Sequence, residues 1–542
     1  MAANNTVSLL SAAKKLLEIL KFDRKDISAI YFFALLGGLI SLSLPLGIQY
    51  IISFVQANQI SASIIVLITL VLIGVFLNGF IQVRLMQVIE KIEQKLFVRY
   101  SLEFADRLPK LDIEKLDGYY LPELTNRYFD SVSLIKGIEK LLLDIPAAVI
   151  QIAFGALLLI VLVIIIRATS PKGFATSLKA SDYKYSIAAW LQEIATSIKT
   201  FKYAKTTSLH IKKADEAVSG YLTSRTSHFK ILLAQYWSFI SFKIIITAAM
   251  LIVGCVLLVN QQINIGQFIA ADIVILTIIG SVEKMIASLD KVYDALTSVE
   301  KLSKITHASV EEDGDIPLAA VNEGVSIEMK DVNFTYANGV AGLRNINLQI
   351  KAGAFVCVYG ASGSGKSSFL RMLTGAFKNY TGNVFIEGLP ISNYSLGSLR
   401  SQTGILFGNQ DVFKGTLLEN ITMGNEAISI DEVYGMAERL SLKNYFQTLK
   451  DGLNTLVDSD GKRLPQKIKK DILLMRALTG RHRLLLLESP FEHLSEQHIE
   501  MLVDFLRNDK NATVIVTTET IPAAAHFDML ITLNDGTIQS IQ

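Results

Sequence analysis

Two regimes of hydrophobic patterning divide the chain. Up to about residue 285 apolar residues form long unbroken runs; beyond it they form short runs separated by turns. Runs of roughly 20 residues, enough for a helix to cross a bilayer, lie at about 28–55, 63–84, 145–166, 231–259 and 264–282. Several such runs in one half of a chain predict a helical multi-span membrane domain rather than buried core helices. The stretches between them, "EKIEQKLFVRYSLEFADRL" and "LQEIATSIKTFKYAKTTSLH", keep apolar residues three to four apart among the charges. That spacing predicts spans that continue as helices into the cytosol. Ahead of the first run, "AAKKLLEILKF" predicts a short amphipathic helix at the membrane surface. Around 300–325, with "SVEEDGDIP", the periodicity fades. The pattern therefore predicts a membrane domain over 1–305, a linker over 306–325 and a second domain over 326–542.

Basic residues orient the membrane half, because they collect on the cytoplasmic side. They crowd 1–27, then 84–140 (Arg84, Lys91, Lys95, Arg99, Arg107, Lys110), then 167–230 (Arg167, Lys172, Lys179, Lys184, Lys212, Lys213). All three segments point inside. A single crossing by 145–166 would put its two flanks on opposite sides, and about 22 residues are too few to cross twice at 1.5 Å per residue. The chain is therefore expected either to make a short re-entrant hairpin here or to lack part of one near Gly155–Ala156, so that 145–166 is a compressed or truncated pair of spans.

Composition changes this picture little. The chain has 542 residues, 51% of them apolar, and a net charge of +2, which gives no sign of a nucleic-acid partner. The two cysteines, Cys255 and Cys357, sit in apolar runs and read as small core side chains, not a disulfide framework. Lys14, Lys15 and Lys21 precede no short apolar core with a cleavage site, so no removable signal is expected. Nor is a peptidase-like domain expected ahead of the membrane half. Lys243 and Asp272 are charges inside spans, where an ionisable residue is functional by default. Counted from the "QQI" loop they differ in depth by roughly 12 Å, so they are not expected to pair. Asp272 is read as lining a wet cavity; the alternative is that each charge snorkels or meets a neighbouring helix.

After the linker come β-rich runs, "VSIEMKDVNFTY", "INLQI" and "AFVCVYG", and then Gly360-Ala361-Ser362-Gly363-Ser364-Gly365-Lys366-Ser367, followed by Ser368. This fits G-x-x-x-x-G-K-[ST] between a buried strand and a helix, the pattern of a P-loop. Its glycines let backbone N–H groups turn inward around phosphates. Lys366 reaches the terminal phosphates, and Ser367 supplies a hydroxyl to Mg²⁺. The second domain is thus expected to be an α/β P-loop domain that binds ATP with Mg²⁺.

With membrane spans ahead of it, this arrangement resembles an ABC transporter of the exporter type, a half-transporter whose membrane domain is fused to its ATP-binding domain. The resemblance covers nearly the whole chain. It implies that Tyr336 of "FTY" stacks on adenine. It matches "KGTLLENITMG" to the start of the helical subdomain, "KDGLNTLVDSDGKRL" with "LLMRAL" to the surroundings of the signature, and "DGTIQSIQ" to the closing strands. It also implies a dimer with a second half-transporter subunit, identical or not, in the lipid of the cell's inner membrane, with the ATP-binding domain cytoplasmic. The substrate stays open.

The catalytic elements depart from the family pattern. The signature falls on Leu464-Pro465-Gln466-Lys467-Ile468, of which only the leucine matches. Pro465 has no N–H to donate. In "LLLLESPFEH" the magnesium-side acid is Glu488, and the general base position holds Ser489. The loop that ends in Asp in the family reads Glu492-His493-Leu494-Ser495, and the switch-histidine position is Glu519. The magnesium-sensing glutamine falls on Gly408 without a gap, or on Gln410 with a shorter loop; Gln410 is favoured. A serine hydroxyl cannot take a proton from water near neutral pH, and a general base is worth about 10²–10⁴ in rate. Glu492 and His493 are weighed as substitutes and read as ordinary solvated surface. Nucleotide binding is therefore expected, and fast hydrolysis is not. Two readings follow: a half-transporter with slow or unconventional hydrolysis, or an ATP-binding membrane regulator or assembly partner without transport.

Overall fold

The computed structural model describes residues 8–542, save 22, 42, 57–61, 113–120, 154–155, 205–207, 493 and 523–525. The chain divides into two compact units, one chiefly residues up to 310 and one chiefly from 311 onward. The first holds ten helices among the described residues: α1 (Leu9–Lys21), α2 (Arg24–Ser41), α3 (Ser43–Gln56), α4 (Ala62–Arg107), α5 (Leu121–Asn126), α6 (Asp130–Ala153), α7 (Ala156–Thr196), α8 (Ile198–Tyr203), α9 (Leu209–Val259) and α10 (Ile265–Thr306). At 1.5 Å per residue the longest exceeds roughly 70 Å, far beyond a bilayer's hydrocarbon core of about 30 Å. The spans continue as helices, as the charged three-to-four spacing requires.

The first apolar run is covered by α2 and α3, and α3 carries Pro45. The amphipathic α1 buries Ala12, Leu16 and Leu20. Its stripe packs on α10, where the Lys15 ammonium pairs with Glu300 at 2.7 Å and donates to Ser303 at 3.0 Å. Between α9 and α10, Asn264 and Gln267 form a reciprocal cap. Asn264 Oδ1 accepts from the Gln267 N–H at 2.8 Å, and Gln267 Oε1 accepts from the Asn264 N–H at 2.9 Å.

Four helical stretches are long and apolar enough to cross a membrane among the described residues: Arg24–Gln56, Ala62–Lys110, Leu209–Val259 and Ile265–Thr306. The run at 145–166 is not among them. Its helices α6 and α7 stop at Ala153 and restart at Ala156. They run antiparallel: Lys184 of α7 donates to Asp130 at the start of α6 at 3.3 Å, and Gln192 donates to Asn126 at 3.2 Å. Both arms therefore carry their distal ends to one side. The apolar part of each arm, residues 145–153 and 156–166, supplies roughly 13–16 Å of helix, half of a crossing. An antiparallel pair of this length is what a short hairpin entered from the basic side would require.

Charges inside the spans are placed less as a functional pair than as neighbours. Lys243 meets Glu283 of α10 at 3.6 Å, and Tyr236 donates to the same carboxylate at 3.3 Å. Asp272 is half-buried and pairs with no charge among the described residues. Cys255 is exposed on α9 rather than in a core; Cys357 is buried, and that burial pushes its thiol up to about 12.

In the second unit the strands and helices are β1 (Ile327–Thr335), β2 (Ala341–Ile350), β3 (Phe355–Tyr359), α11 (Lys366–Met372), β4 (Tyr380–Ile386), β5 (Leu389–Pro390), α12 (Leu396–Ser401), β6 (Thr403–Leu406), β7 (Gly415–Thr416) and α13 (Leu417–Thr422). They are followed by α14 (Ile430–Arg439), α15 (Lys443–Thr448), β8 (Leu456–Val457), α16 (Gln466–Leu478), β9 (Leu484–Glu488), α17 (Glu496–Asn508), β10 (Thr513–Thr518), β11 (Met529–Asn534) and β12 (Thr537–Ile541). One sheet has the order β2-β1-β4-β5, and a larger one β12-β11-β3-β10-β9-β6. In the larger sheet β11, β3, β10, β9 and β6 pair in parallel. Parallel strands covered on both faces are apolar at every position, which accounts for the unbroken leucines of β9. Alternation sends Leu484 and Leu486 into one core with Val356, Val358 and Ile515. Leu485 and Leu487 enter the other, with Phe355, Cys357 and Val516.

The stretch expected as a linker is not free. Residues 311–325 are laced onto the second unit: the Arg483 guanidinium donates to the carbonyls of Glu323 (2.7 Å), Ala319 (3.1 Å) and Gly324 (3.2 Å). Arg400 clasps Glu311 through two bonds of 2.6 and 3.0 Å.

Two outcomes check this architecture. With Cys255→Ala as background, single cysteines replacing Lys136 and Ala175 should react with an impermeant maleimide from the same side of the membrane; opposite-side labelling would contradict the hairpin. In the second unit, burial holds the His482 imidazole below its ordinary value. Its Nε2–H donates to the Thr479 carbonyl at 3.2 Å, and Nδ1 has no hydrogen-bond partner. The unfolded chain takes up this proton first, so the stability is present above the unfolded histidine value of about 6.5 and lost as pH falls below it. Tm should drop between pH 7.5 and 5.5, and His482→Gln should shrink that drop.

Candidate functional site

The loop between β3 and α11 wraps one end of the parallel sheet, where β9 also ends. Gly360 is required by close approach: a Cβ there would lie 2.3 Å from the Leu533 carbonyl oxygen. Gly365, at φ +102°, holds a left-handed turn immediately before α11. A cavity of about 560 Å³ opens against this loop. Of the expected residues, Tyr336, Ser362, Gly363, Gly365, Lys366, Ser367, Ser368, Glu488, Ser489 and Glu519 line it. Gly360, Ala361 and Ser364 support it from behind.

Tyr336 is set by an aromatic stack. Its ring meets Phe334 and Phe377 edge-on at 4.8 and 5.9 Å, and its hydroxyl bonds Ser368 Oγ at 2.8 Å. The ring thus stands at the cavity wall, where a planar base would find an apolar face. Lys366 is the buried cation. Its ammonium donates to the carbonyls of Gly360 (2.6 Å) and Ala361 (2.8 Å), and Glu519 Oε1 lies 3.5 Å away. Glu488, at the end of β9, accepts from the Ser367 hydroxyl with one oxygen and from the Gly408 N–H at 2.9 Å with the other.

These residues fit a nucleotide with Mg²⁺. Ser367 and Glu488 bring a hydroxyl and a carboxylate side by side, the protein ligands that a phosphate-bound Mg²⁺ takes beside its waters. Ser364 Oγ is buried in the loop without a partner, a polar atom waiting for one. Among the described residues no three His, Cys, Asp or Glu cluster to hold a metal by themselves, so a cation here needs the phosphates.

The structure does not bring every expected residue to the cavity. Gln410 turns back into its own loop, where Oε1 accepts from the Phe407 N–H at 3.1 Å. Gly408, the ungapped position, faces Glu488 instead. Beside Glu488 the structure thus has a backbone N–H where a side-chain amide was expected. Leu464, Pro465, Gln466 and Lys467 stand at the start of α16, with Pro465 as its N-cap residue, and do not line the cavity. Ser489 does line it, but with φ +48°, a region that non-glycine residues seldom occupy. Its N–H donates to Thr517 O at 2.9 Å, which fixes the backbone. Ser495 lies outside, bonded to His498 at 2.6 Å; His493 lies outside the described residues.

Sequence reasoning passed over Lys470 and Asp471, which reach the cavity from α16; Glu492, read as solvated surface, is exposed at the cavity's rim. Lys470 pairs with Glu492 at 2.8 Å. No local pattern in "KIKKDILL" marks Lys470 and Asp471 as cavity-lining. Four carboxylates (Asp471, Glu488, Glu492, Glu519) thus line the cavity against two ammonium groups, Lys366 and Lys470.

Residues 343–492 match the family model of the ABC transporter. The chain is 27% identical over 355 residues to the alpha-hemolysin translocation ATP-binding protein HlyB of Escherichia coli O157:H7, covering 65% of this chain and 50% of that protein. It is 25% identical over 295 residues to the beta-(1-->2)glucan export ATP-binding/permease protein NdvA of Rhizobium meliloti, covering 54% and 50%. It is 25% identical over 477 residues to the cyclolysin secretion/processing ATP-binding protein CyaB of Bordetella pertussis, covering 80% and 65%. The chain thus spans about half to two thirds of the length of these relatives. A bacterial Atm1-family ABC exporter with ATP bound shares the fold, with a TM-score of 0.84 at 19% identity over 96% of this chain and 95% of that one.

Proposed function

We propose that this chain, which joins an exporter-type helical membrane domain to an ABC transporter ATP-binding domain, acts as one half of a dimeric exporter driven by ATP with Mg²⁺. It is a multi-pass inner-membrane protein with the ATP-binding domain cytoplasmic. The observation that carries the reading is the convergence of Lys366, Ser367 and Glu488 on one cavity beside Tyr336. Lys366 would neutralise terminal phosphate charge, and Ser367 and Glu488 would hold the magnesium ion. Tyr336 would bear the base. The cation supplies charge neutralisation when bound. The proposed domains are a membrane domain over 1–305, a linker over 306–325 and an ATP-binding domain over 326–542; the two compact units divide at 310/311, so residues 311–325 go with the second unit. The partner is a second half-transporter in lipid, not nucleic acid. The relatives' names point to proteins and glucans as classes of cargo.

Turnover is slow or unconventional in this proposal. Ser489 cannot serve as base, Glu492 is tied to Lys470, and Pro465 offers no N–H to a phosphate across the dimer. The pairing of Glu519 with Lys366 favours the second reading, an ATP-holding regulator or assembly partner, because it sets a carboxylate where a phosphate has to arrive. Reconstituted protein separates the two. Vanadate-sensitive phosphate release above a Lys366→Ala control supports transport, and tight ATP binding without release over hours supports the regulator.

Lys366→Ala should abolish ATP binding at millimolar nucleotide, whereas Ser489→Ala should change turnover less than about twofold if the hydroxyl is no base. A large loss in Ser489→Ala would reverse that assignment. Ser489→Glu should raise turnover, by up to the 10²–10⁴ of a general base; no gain would place the limit at the signature.

A further inference from the structure

We infer that Glu519 sets the selectivity of this site between nucleoside triphosphate and diphosphate, by holding the Lys366 ammonium that a third phosphate would take. The inference rests on the nucleotide reading of the cavity and goes beyond it. An ammonium has three donors. Two of those on Lys366 go to the Gly360 and Ala361 carbonyls, and Glu519 faces the ammonium at 3.5 Å. The Lys366 side chain is 9% exposed and that of Glu519 54%, so the cation is fixed and the carboxylate is the member able to swing aside. Its backbone is held nearby: Thr518 Oγ1 donates to the Thr520 carbonyl at 2.7 Å and accepts from the Thr520 N–H at 3.2 Å.

The other carboxylates are engaged differently. Glu488 is spent on Ser367 and Gly408, and Glu492 on Lys470. Glu519 alone among these three lies against the P-loop lysine. A triphosphate brings one more anionic group to that ammonium than a diphosphate does. It must displace Glu519 or sit beside it, whereas the terminal group of a diphosphate lies one P–O–P bridge farther off. Repulsion between unit charges falls with distance and is partly screened at a half-exposed site. The result is a site that prefers ATP over ADP less than its P-loop alone would.

The test is equilibrium binding of β,γ-imido-ATP and of ADP, each with Mg²⁺, to the full chain in lipid nanodiscs. Glu519→Gln keeps the shape and removes the charge. It should tighten the imido-triphosphate about five- to tenfold and leave ADP within about twofold, with an unchanged Tm. A ratio of affinities that stays constant or falls overturns the inference. Glu492→Gln is the charge control: if it moves the ratio as far as Glu519→Gln, the effect belongs to the cavity as a whole and the assignment to Glu519 fails. Lys366→Ala distinguishes the underlying reading. If both ligands bind it as tightly as the native chain, the cavity is no nucleotide site, whatever Glu519 does.

Discussion

Much of the second unit turns on one carboxylate. Glu488 ends a strand whose four leucines are divided between two cores, so its position is set by packing on both faces of the sheet. Its two oxygens tie the P-loop, through Ser367, to the loop after β6, through Gly408. That loop continues to Asp411, which pairs with Lys469 of α16 at 2.6 Å, and Arg476 of the same helix donates to the Asp411 carbonyl at 3.2 Å. Gly408 is exposed, so a cation that draws Glu488 away leaves that N–H to water and breaks the tie between the two loops. Nucleotide binding and the position of the loop are thus linked by one hydrogen bond, without a side-chain amide between them.

The first unit depends on polar groups of a different kind. His228 is fully buried, with Nδ1 3.0 Å from the Gly173 carbonyl and Nε2 3.1 Å from the Asp290 carboxylate. Tyr293 lies edge-on to its ring at 5.7 Å, bonds Ser170 at 3.0 Å and accepts from Gln235 at 2.9 Å. The network joins α7, α9 and α10 at one level. Buried polar groups of this sort add little net stability compared with apolar packing but tolerate few alternative registers. For helices that are apolar along much of their length, and so able to slide against one another, that restriction is the useful property.

Much of this was legible in the sequence, and the residues show why. The spans, the cytoplasmic continuation of α4 and α9, the P-loop and the buried strand β9 are all local patterns with a period or a fixed spacing. The antiparallel course of α6 and α7 agrees with the pairing argued from the positive-inside rule, where hydropathy alone reads two short arms as one span. What escaped was pairing between distant segments. Nothing near Lys243 in sequence announces Glu283, and nothing in "SVEEDGDIP" announces that Arg483 gathers the carbonyls that follow it. The contact between Gly408 and Glu488 was hidden for a similar reason. A motif resemblance aligns side chains, while the chain satisfied Glu488 with a backbone N–H that every residue but proline carries.

The same distinction bears on the chemistry. Ser489 keeps the place of a catalytic base in a backbone held at φ +48° by its N–H bond to Thr517. Such a conformation disfavours ordinary residues by about 1–2 kcal/mol, and it persists because the surrounding sheet dictates it, not because the serine needs it. Glu519 likewise keeps the place of a switch residue, but its side chain presents a charge of the wrong sign to a phosphate. Position is written in the sheet and its turns; reactivity is written in the atoms those turns present. In this chain the first has been kept at the P-loop, at β9 and after β10, while the second matches a phosphate-cleaving site only at Lys366, Ser367 and Glu488. In the proposed reading those three groups bind and neutralise and none takes a proton from water, so holding the nucleotide and cleaving it would be separable properties of this site.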